Sequence, residues 1–117
     1  MNAEYALMMQ GAASQGEPKG FSHEVAAVIR YERGTPGEPA ELSFAVASPF
    51  RGLGVGTRAL SESWRKACDE LGVTAVRGLV IDGNEPSMRA FRRAGFVETG
   101  HETRSGRGCV VFERRAA

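Results

Sequence analysis

The sequence predicts an α/β (α+β) fold whose mixed central sheet begins with antiparallel strands and continues into a parallel βαβ crossover. Three observations carry this. Extended segments at Glu4 to Gln10, Glu24 to Glu32 and Glu41 to Ser48 come before any helical pattern, the latter two rich in β-branched or aromatic residues. The stretches between them, Gly11 to Gly20 and Gly34 to Pro39, are rich in Gly, Pro and polar residues and read as turns, which favours an antiparallel meander. A helical pattern from Val55 to Leu71 is then followed by another apolar strand, and a strand–helix–strand succession implies a parallel crossover.

In the first helix Leu60, Trp64, Ala67, Cys68 and Leu71 recur at three- and four-residue intervals, forming one buried stripe, and Gly72 is a natural C-terminal stop. Val73 to Ile81 reads as a strand interrupted by Gly78. Pro86 suits the first position of a second helix, which runs through Met88 and Phe91 to a stop at Gly95. Strands near Phe96 to Glu102 and Cys109 to Glu113 close the sheet.

A chain of 117 residues with 42% hydrophobic and 25% charged residues predicts one globular domain, 1–117. By size scaling it buries roughly two thirds of its unfolded surface. The apolar runs are far too short to span a bilayer, so no membrane partner is expected. Met1 to Gln10 carries Glu4 and lacks the basic and apolar regions of a secretory signal, so a cytoplasmic protein is expected. Fifteen basic against fourteen acidic residues give a charge of +1, no footprint for a polyanion, and nucleic acid is disfavoured as a partner. Arg89, Arg92 and Arg93 read as a solvated helix face rather than a phosphate contact. Cys68 and Cys109 form no CxxC and His23 and His101 are scattered, so no metal site is expected and the cysteines read as reduced packing residues.

The chemistry concentrates in Arg51, Gly52, Leu53, Gly54, Val55, Gly56 and Thr57, which join the strand at Leu42 to Ala47 to the first helix. Glycines let the backbone approach a ligand with no Cβ in the way. The free N–H groups and partial positive charge of the helix N-terminus suit an anion such as a phosphate.

Here the residues resemble a known family. SPFRGLGVGTRAL is similar to the acyl-CoA-binding motif RxxGxG of the GNAT superfamily of N-acetyltransferases. NEPSMRAFRRAGF resembles that family's second motif, an Asn followed by a short helix ending in Gly-Phe, and AELSFAVAS resembles the strand before the loop, particularly in bacterial protein-lysine acetyltransferases. The resemblance covers Glu24 to the C-terminus. It implies a GNAT-like sheet with helices on both faces, here without the strand and two helices that the family usually places first. Those helices usually wall the acceptor side. A second subunit in a homodimer lending the wall, an open acceptor cleft, or a truncated relative are the alternatives.

The resemblance also implies direct acetyl transfer from acetyl-CoA, the acyl donor, to a primary amine of a small molecule or protein, with no metal. Arg51 to Thr57 would wrap the pyrophosphate, and the pantetheine would lie along Ala45, Val46 and Ala47 where two parallel strands splay apart. Asn84 would cap that gap, and the N–H of Ala45 would polarise the thioester carbonyl. Glu41, ten residues before Arg51, resembles the glutamate some members use as base; the alternative is a strand-edge carboxylate with no catalytic task. Phe91 stands where many members carry the tyrosine that returns a proton to the leaving thiolate. It cannot do so, and is expected to pack against the sheet beside the cofactor; water, Ser87 or Tyr31 are the possible substitutes.

Two other readings compete. One is a catalytically silent acyl-CoA-binding or interaction module, suggested by the missing tyrosine and acceptor wall. The other is a dinucleotide-binding oxidoreductase, because Gly54, Gly56 and Ala59 fit GxGxxA and Asp82 follows roughly twenty residues later.

Overall fold

A computed structural model describes residues 1–10 and 23–116, so the turn read at Gly11 to Gly20 lies outside the described residues. The strands are β1 (Asn2–Gln10), β2 (His23–Glu32), β3 (Ala40–Val46), β4 (Ala75–Ile81), β5 (Val97–Arg104) and β6 (Arg107–Arg115). The helices are α1 (Val55–Leu71) and α2 (Glu85–Arg93), with a single 3-10 turn at Ser48–Phe50. The six strands form one mixed sheet in the order β1-β2-β3-β4-β6-β5. Only β3 and β4 run parallel; the other neighbours are antiparallel, so the predicted meander and crossover are both present.

Both helices end as their sequences dictate. After α1, Gly72 turns left-handed (φ 67°), and the Gly72 and Val73 N–H groups both donate to Cys68 O. In α2 Asn84 is the N-cap, Glu85 and Pro86 open the first turn, and Arg92 and Arg93 sit in the last, where they complement the helix dipole.

The expectation of helices on both faces is corrected. Leu60, Trp64 and Leu71 of α1 share one continuous buried cluster with Met88 and Phe91 of α2, together with Leu42, Val76, Val80 and Phe112 from the sheet. Both described helices therefore cover the same face. Side chains alternate along a strand, so the opposite face of β3 and β4 carries Glu41, Ser43 and Arg77 at one end and Ala45, Leu79 and the exposed Ile81 toward the other, with no described helix upon it.

Phe91 is the keystone of this core. Its ring stacks on Phe112 at 5.3 Å between centroids and meets Phe96 (5.1 Å) and Phe44 (5.5 Å) edge-on. Gly78 makes room for it: a Cβ at Gly78 would lie 2.5 Å from Phe91 Cζ and 3.3 Å from Leu42 Cδ1. The break in the apolar run of β4 is thus a packing requirement. Deeper under α1, the Tyr31 hydroxyl donates to Ser63 Oγ at 2.8 Å while Ser63 donates to Ala59 O, so this buried polar pair is satisfied.

Beyond Leu42, paired with Gly78, β3 and β4 part: only Ala40 to Leu42 pair with β4, while Ser43 to Val46 stay on β2 and Leu79 to Ile81 stay on β6. The sheet opens as a wedge toward the C-terminal ends of both strands. Replacing Gly78 with Ala would normally suit a strand, yet here it should destabilise the fold by about 1–3 kcal/mol through overpacking against Phe91. Urea unfolding checks this through a lower midpoint at unchanged slope.

Candidate functional site

The wedge leads into a cleft of about 790 Å³ walled by Phe44 to Val46 of β3, by Phe50 to Gly52 and Gly54 to Thr57, and by the cap Asn84 with Pro86, Ser87, Arg89, Ala90 and Arg93 of α2. Gly54, the N-cap of α1, is left-handed (φ 76°), with open space around its α-carbon, so its role is conformational. Gly56 differs: a Cβ there would come within 3.1 Å of Phe44 Cε2, so its absence lets α1 settle close to β3.

The first intrahelical bond of α1 runs from Arg58 N–H to Gly54 O at 3.1 Å. The N–H groups of Val55, Gly56 and Thr57 precede that bond, Gly54 offers no side-chain cap, and the first turn holds no acidic residue. All three residues line the cleft. Among the described residues three cations, Arg51, Arg89 and Arg93, line it as well, and no carboxylate does. The arrangement suits a bulky polyanion.

Most of the expected residues gather here: Ala45, Val46, Arg51, Gly52, Gly54, Val55, Gly56, Thr57 and Asn84 all line the cleft. Arg51 folds back, its Nε donating to Val46 O at 3.4 Å. Asn84 Oδ1 accepts from the Ser87 N–H at 3.4 Å as helix cap. Leu53 is exposed at the loop tip and does not line the cleft. Ala47 donates its N–H to Ala26 O at 2.8 Å. Because bonded residues alternate in an antiparallel ladder, Ala45 also turns its N–H toward β2, and the backbone groups facing the wedge belong to Phe44 and Val46. The Ala45 N–H therefore does not face the wedge, contrary to the expectation for that residue.

Phe91 does not line the cleft. It is 2% exposed and is separated from the opening by Phe44, whose ring it touches. Tyr31 is fully buried beneath α1, and burial raises its hydroxyl well above the ordinary tyrosine range, which removes it as a proton donor to the cleft. Ser87 lines the cleft. Cys68 and Cys109 are buried free thiols, in keeping with a packing role.

The sequence reading missed Arg89 and Arg93 as cleft residues. Their signal was the four-residue spacing, which puts them on one stripe with Pro86 and Ala90, whereas Arg92 points over the Phe112 ring. It also missed the environment of Glu41. On the helix-free face, Arg104 Nη1 donates to Glu41 Oε1 at 2.9 Å and Nη2 to Oε2 at 3.2 Å, and Arg77 donates to Oε2 at 3.3 Å. Glu102 meets Arg77 at 3.0 Å and Arg104 at 3.4 Å, closing a ring of alternating charges. Hydrogen bonds from Arg104, with its charge and those of Arg77, hold the Glu41 carboxyl below the ordinary carboxylate range against the upward push of partial burial. Among the described residues no cluster of three or more His, Cys, Asp or Glu could hold a metal ion, and no helix is long and apolar enough to cross a membrane.

An α/β domain with an arginine-lined cleft at the parting of two parallel strands is the class these features define. A family model, the acetyltransferase (GNAT) domain, matches residues 8–97, and the chain belongs to the GNAT acetyltransferase family. It is 36% identical over 70 residues to "Putative phosphinothricin acetyltransferase YwnH" of Bacillus subtilis (strain 168), covering 60% of this chain and 42% of that protein. The crystal structure of a "putative phosphinothricin N-acetyltransferase" superposes with TM-score 0.65 at 30% identity, covering 80% of this chain and 62% of the other. Mycobacterium smegmatis RimJ in complex with CoA-disulfide shares the fold at TM-score 0.69 and 22% identity, over 80% and 48% of the two chains. The chain thus spans between about two fifths and three fifths of these relatives' length. The dinucleotide reading is set aside, since antiparallel β1 to β3 precede the loop and Asp82 is engaged by His101 Nε2 at 2.9 Å.

The charge ring makes a prediction for acid stability. A carboxyl lowered in the folded state contributes stability above its unfolded pKa and loses it as pH falls through the folded value. Stability should therefore decline from the ordinary glutamate range downward, and Glu41→Gln should flatten that part of the curve, as read by thermal midpoints between pH 6 and about 3.

Proposed function

We propose that this protein transfers the acetyl group of acetyl-CoA to a primary amine. The observation carrying this reading is the cleft itself, where uncapped N–H groups of α1 and three arginines, with no carboxylate, stand at the mouth of a parted strand pair. In this reading the Val55, Gly56 and Thr57 N–H groups receive the diphosphate. The pantetheine enters the wedge as an added strand, bonding the backbone groups of Phe44 and Val46 that face it. One of those N–H groups lies where the thioester oxygen gains negative charge, and stabilises it as the amine attacks.

The nucleophile must be neutral. An amine of pKa near 10.4 is deprotonated in only about one in a few thousand molecules at pH 7, so removing its proton matters. Glu41 is proposed as the acceptor of that proton, directly or through water. The new N–C bond forms, the C–S bond breaks, and the electron pair leaves with the thiolate. A thiolate with pKa about 8.5 departs without an acid, which accommodates Phe91 in place of a tyrosine. Two relatives at 30% identity or above are named "putative phosphinothricin" acetyltransferases, which supports putting phosphinothricin first in the amine panel. The silent-module reading keeps one supporting observation: neither Phe91 nor buried Tyr31 offers a hydroxyl to the cleft.

Calorimetric binding of acetyl-CoA, followed by thiol release with a panel of amines and peptides, separates the readings: turnover supports transfer, whereas tight binding without thiol release supports the module. Thr57→Asp should leave thermal stability unchanged or slightly raised, since a carboxylate in the first turn favours the helix, yet weaken acetyl-CoA binding at least tenfold by facing the diphosphate; equal affinity would overturn the cleft assignment. Glu41→Gln should slow transfer near neutral pH and recover at high pH, where the amine deprotonates unaided; a uniform loss at every pH removes Glu41 from the proton's path.

A further inference from the structure

We propose that Arg104 is a positioning residue for the transfer reaction, reaching from the β5–β6 hairpin to fix the Glu41 carboxylate, with Glu102 moderating that grip. The inference rests on the base role proposed above for Glu41. Arg104 lies 63 residues from Glu41 in sequence, and β4 and β6 stand between their strands in the sheet. The two meet because the hairpin, closed by Ser105 (φ 53°) and Gly106 (φ 76°) in a tight two-residue turn, leans over the face that the helices leave bare.

The contact is a two-pronged one, with Arg104 Nη1 on Oε1 and Nη2 on Oε2, a geometry that specifies orientation as well as charge. A glutamate without it would turn freely about its side-chain bonds. Other charges surround the pair. Arg77 of β4 touches only one Glu41 oxygen, and Glu32 of β2 is directly paired with Glu41 across the strands, its own carboxylate held by Arg30 at 3.1 Å. Glu113 of β6 lies beside Arg77 and is turned to Arg115 at 3.1 Å. Glu102 shares both arginines with Glu41 while partial burial opposes the charge on Glu41, and Arg104, with two bonds, is first among the groups that outweigh that opposition. The ring is partly exposed, with Arg104 47% and Glu41 39% accessible, so an amine reaching this face can approach the carboxylate.

The test reads the Glu41 carboxyl directly by carbon NMR titration of protein labelled at glutamate, with Glu41→Gln identifying the resonance. In Arg104→Gln the titration should move up by about one unit, and Arg104→Lys, which restores the charge without the fork, should recover part of that shift. In Glu102→Gln it should move down, because a repelling charge is gone and both guanidiniums are freed for Glu41. Opposite signs matter, since a hairpin merely loosened by either change would shift both variants the same way. The acid limb of kcat/KM should follow, to higher pH in Arg104→Gln and lower pH in Glu102→Gln, with KM for acetyl-CoA unchanged. An unmoved carboxyl in Arg104→Gln, or shifts of one sign in both variants, overturns the proposal. Carboxyl shifts as expected with an unmoved acid limb overturn instead the base role of Glu41, and with it any part for Arg104 in the reaction. The titration is read without acceptor, so it decides even where no amine turns over.

Discussion

The parting of β3 and β4 after Leu42 and Gly78 is the constraint on which the rest of the structure depends. A parallel strand pair normally satisfies its backbone groups along its whole length, and an unpaired buried N–H or C=O costs roughly 1–3 kcal/mol. Here Phe44 and Val46 turn such groups into an open wedge, with the uncapped N–H groups of α1 at its mouth. Val46 O is met by Arg51 Nε at 3.4 Å, and the other groups open toward the cleft. Two incompletely satisfied features converging on one cleft mean that the fold forgoes internal hydrogen bonds at the place where a ligand can replace them, an arrangement expected of a binding site.

The wedge stays open because its base is rigid. Phe91, Phe96, Phe112 and Phe44 form one aromatic cluster directly beneath the last paired residues, and Gly78 lets Phe91 press against the floor of β4. Phe44 links this cluster to the cleft, since its ring touches Phe91 on one side and confronts Gly56 on the other. Ligand contacts at the start of α1 are therefore mechanically continuous with the core. Close-packed interiors transmit such constraints with little compliance. A phenylalanine at position 91 is thus better explained by packing than as a substitute for a proton-donating hydroxyl.

How much of this was legible in the sequence depended on how local each signal was. The loop, both helices and their glycine stops, and the strand succession were readable, because caps, periodicity and glycine placement act within a few residues. Gly78 was visible as an interruption, but its cause was not, since Phe91 lies in another element. The facing of Ala45 against Val46 hinged on ladder register, which a single strand does not reveal. Placing α2 on the same face as α1 required knowing that Met88 and Phe91 join Leu60 and Trp64 in one buried cluster, a property of elements far apart in the chain. Arg89 and Arg93 looked like a solvated helix face because nothing in their own helix says that the groove between α1 and α2 lies beside them. The Arg104 contact to Glu41 spans 63 residues and depends on hairpin curvature, beyond any local pattern.

The net charge of +1 also conceals a separation of electrostatic tasks. On the helix side the cleft lining holds three arginines and no acid, so it attracts an anion over a distance and does so less as salt rises, with a Debye length of about 8 Å at physiological ionic strength. On the bare side, two arginines and two glutamates close a neutral ring whose field falls off within a few ångströms. Such a ring exerts little pull on a distant cation, yet it holds a carboxylate charged and aimed at short range. The arginine-lined cleft and the charge ring around Glu41 thus fall on opposite faces of one sheet, joined through the strands that part between them. A near-zero total averages over such unlike surfaces, which is why composition could not reveal the concentration of arginines at the cleft.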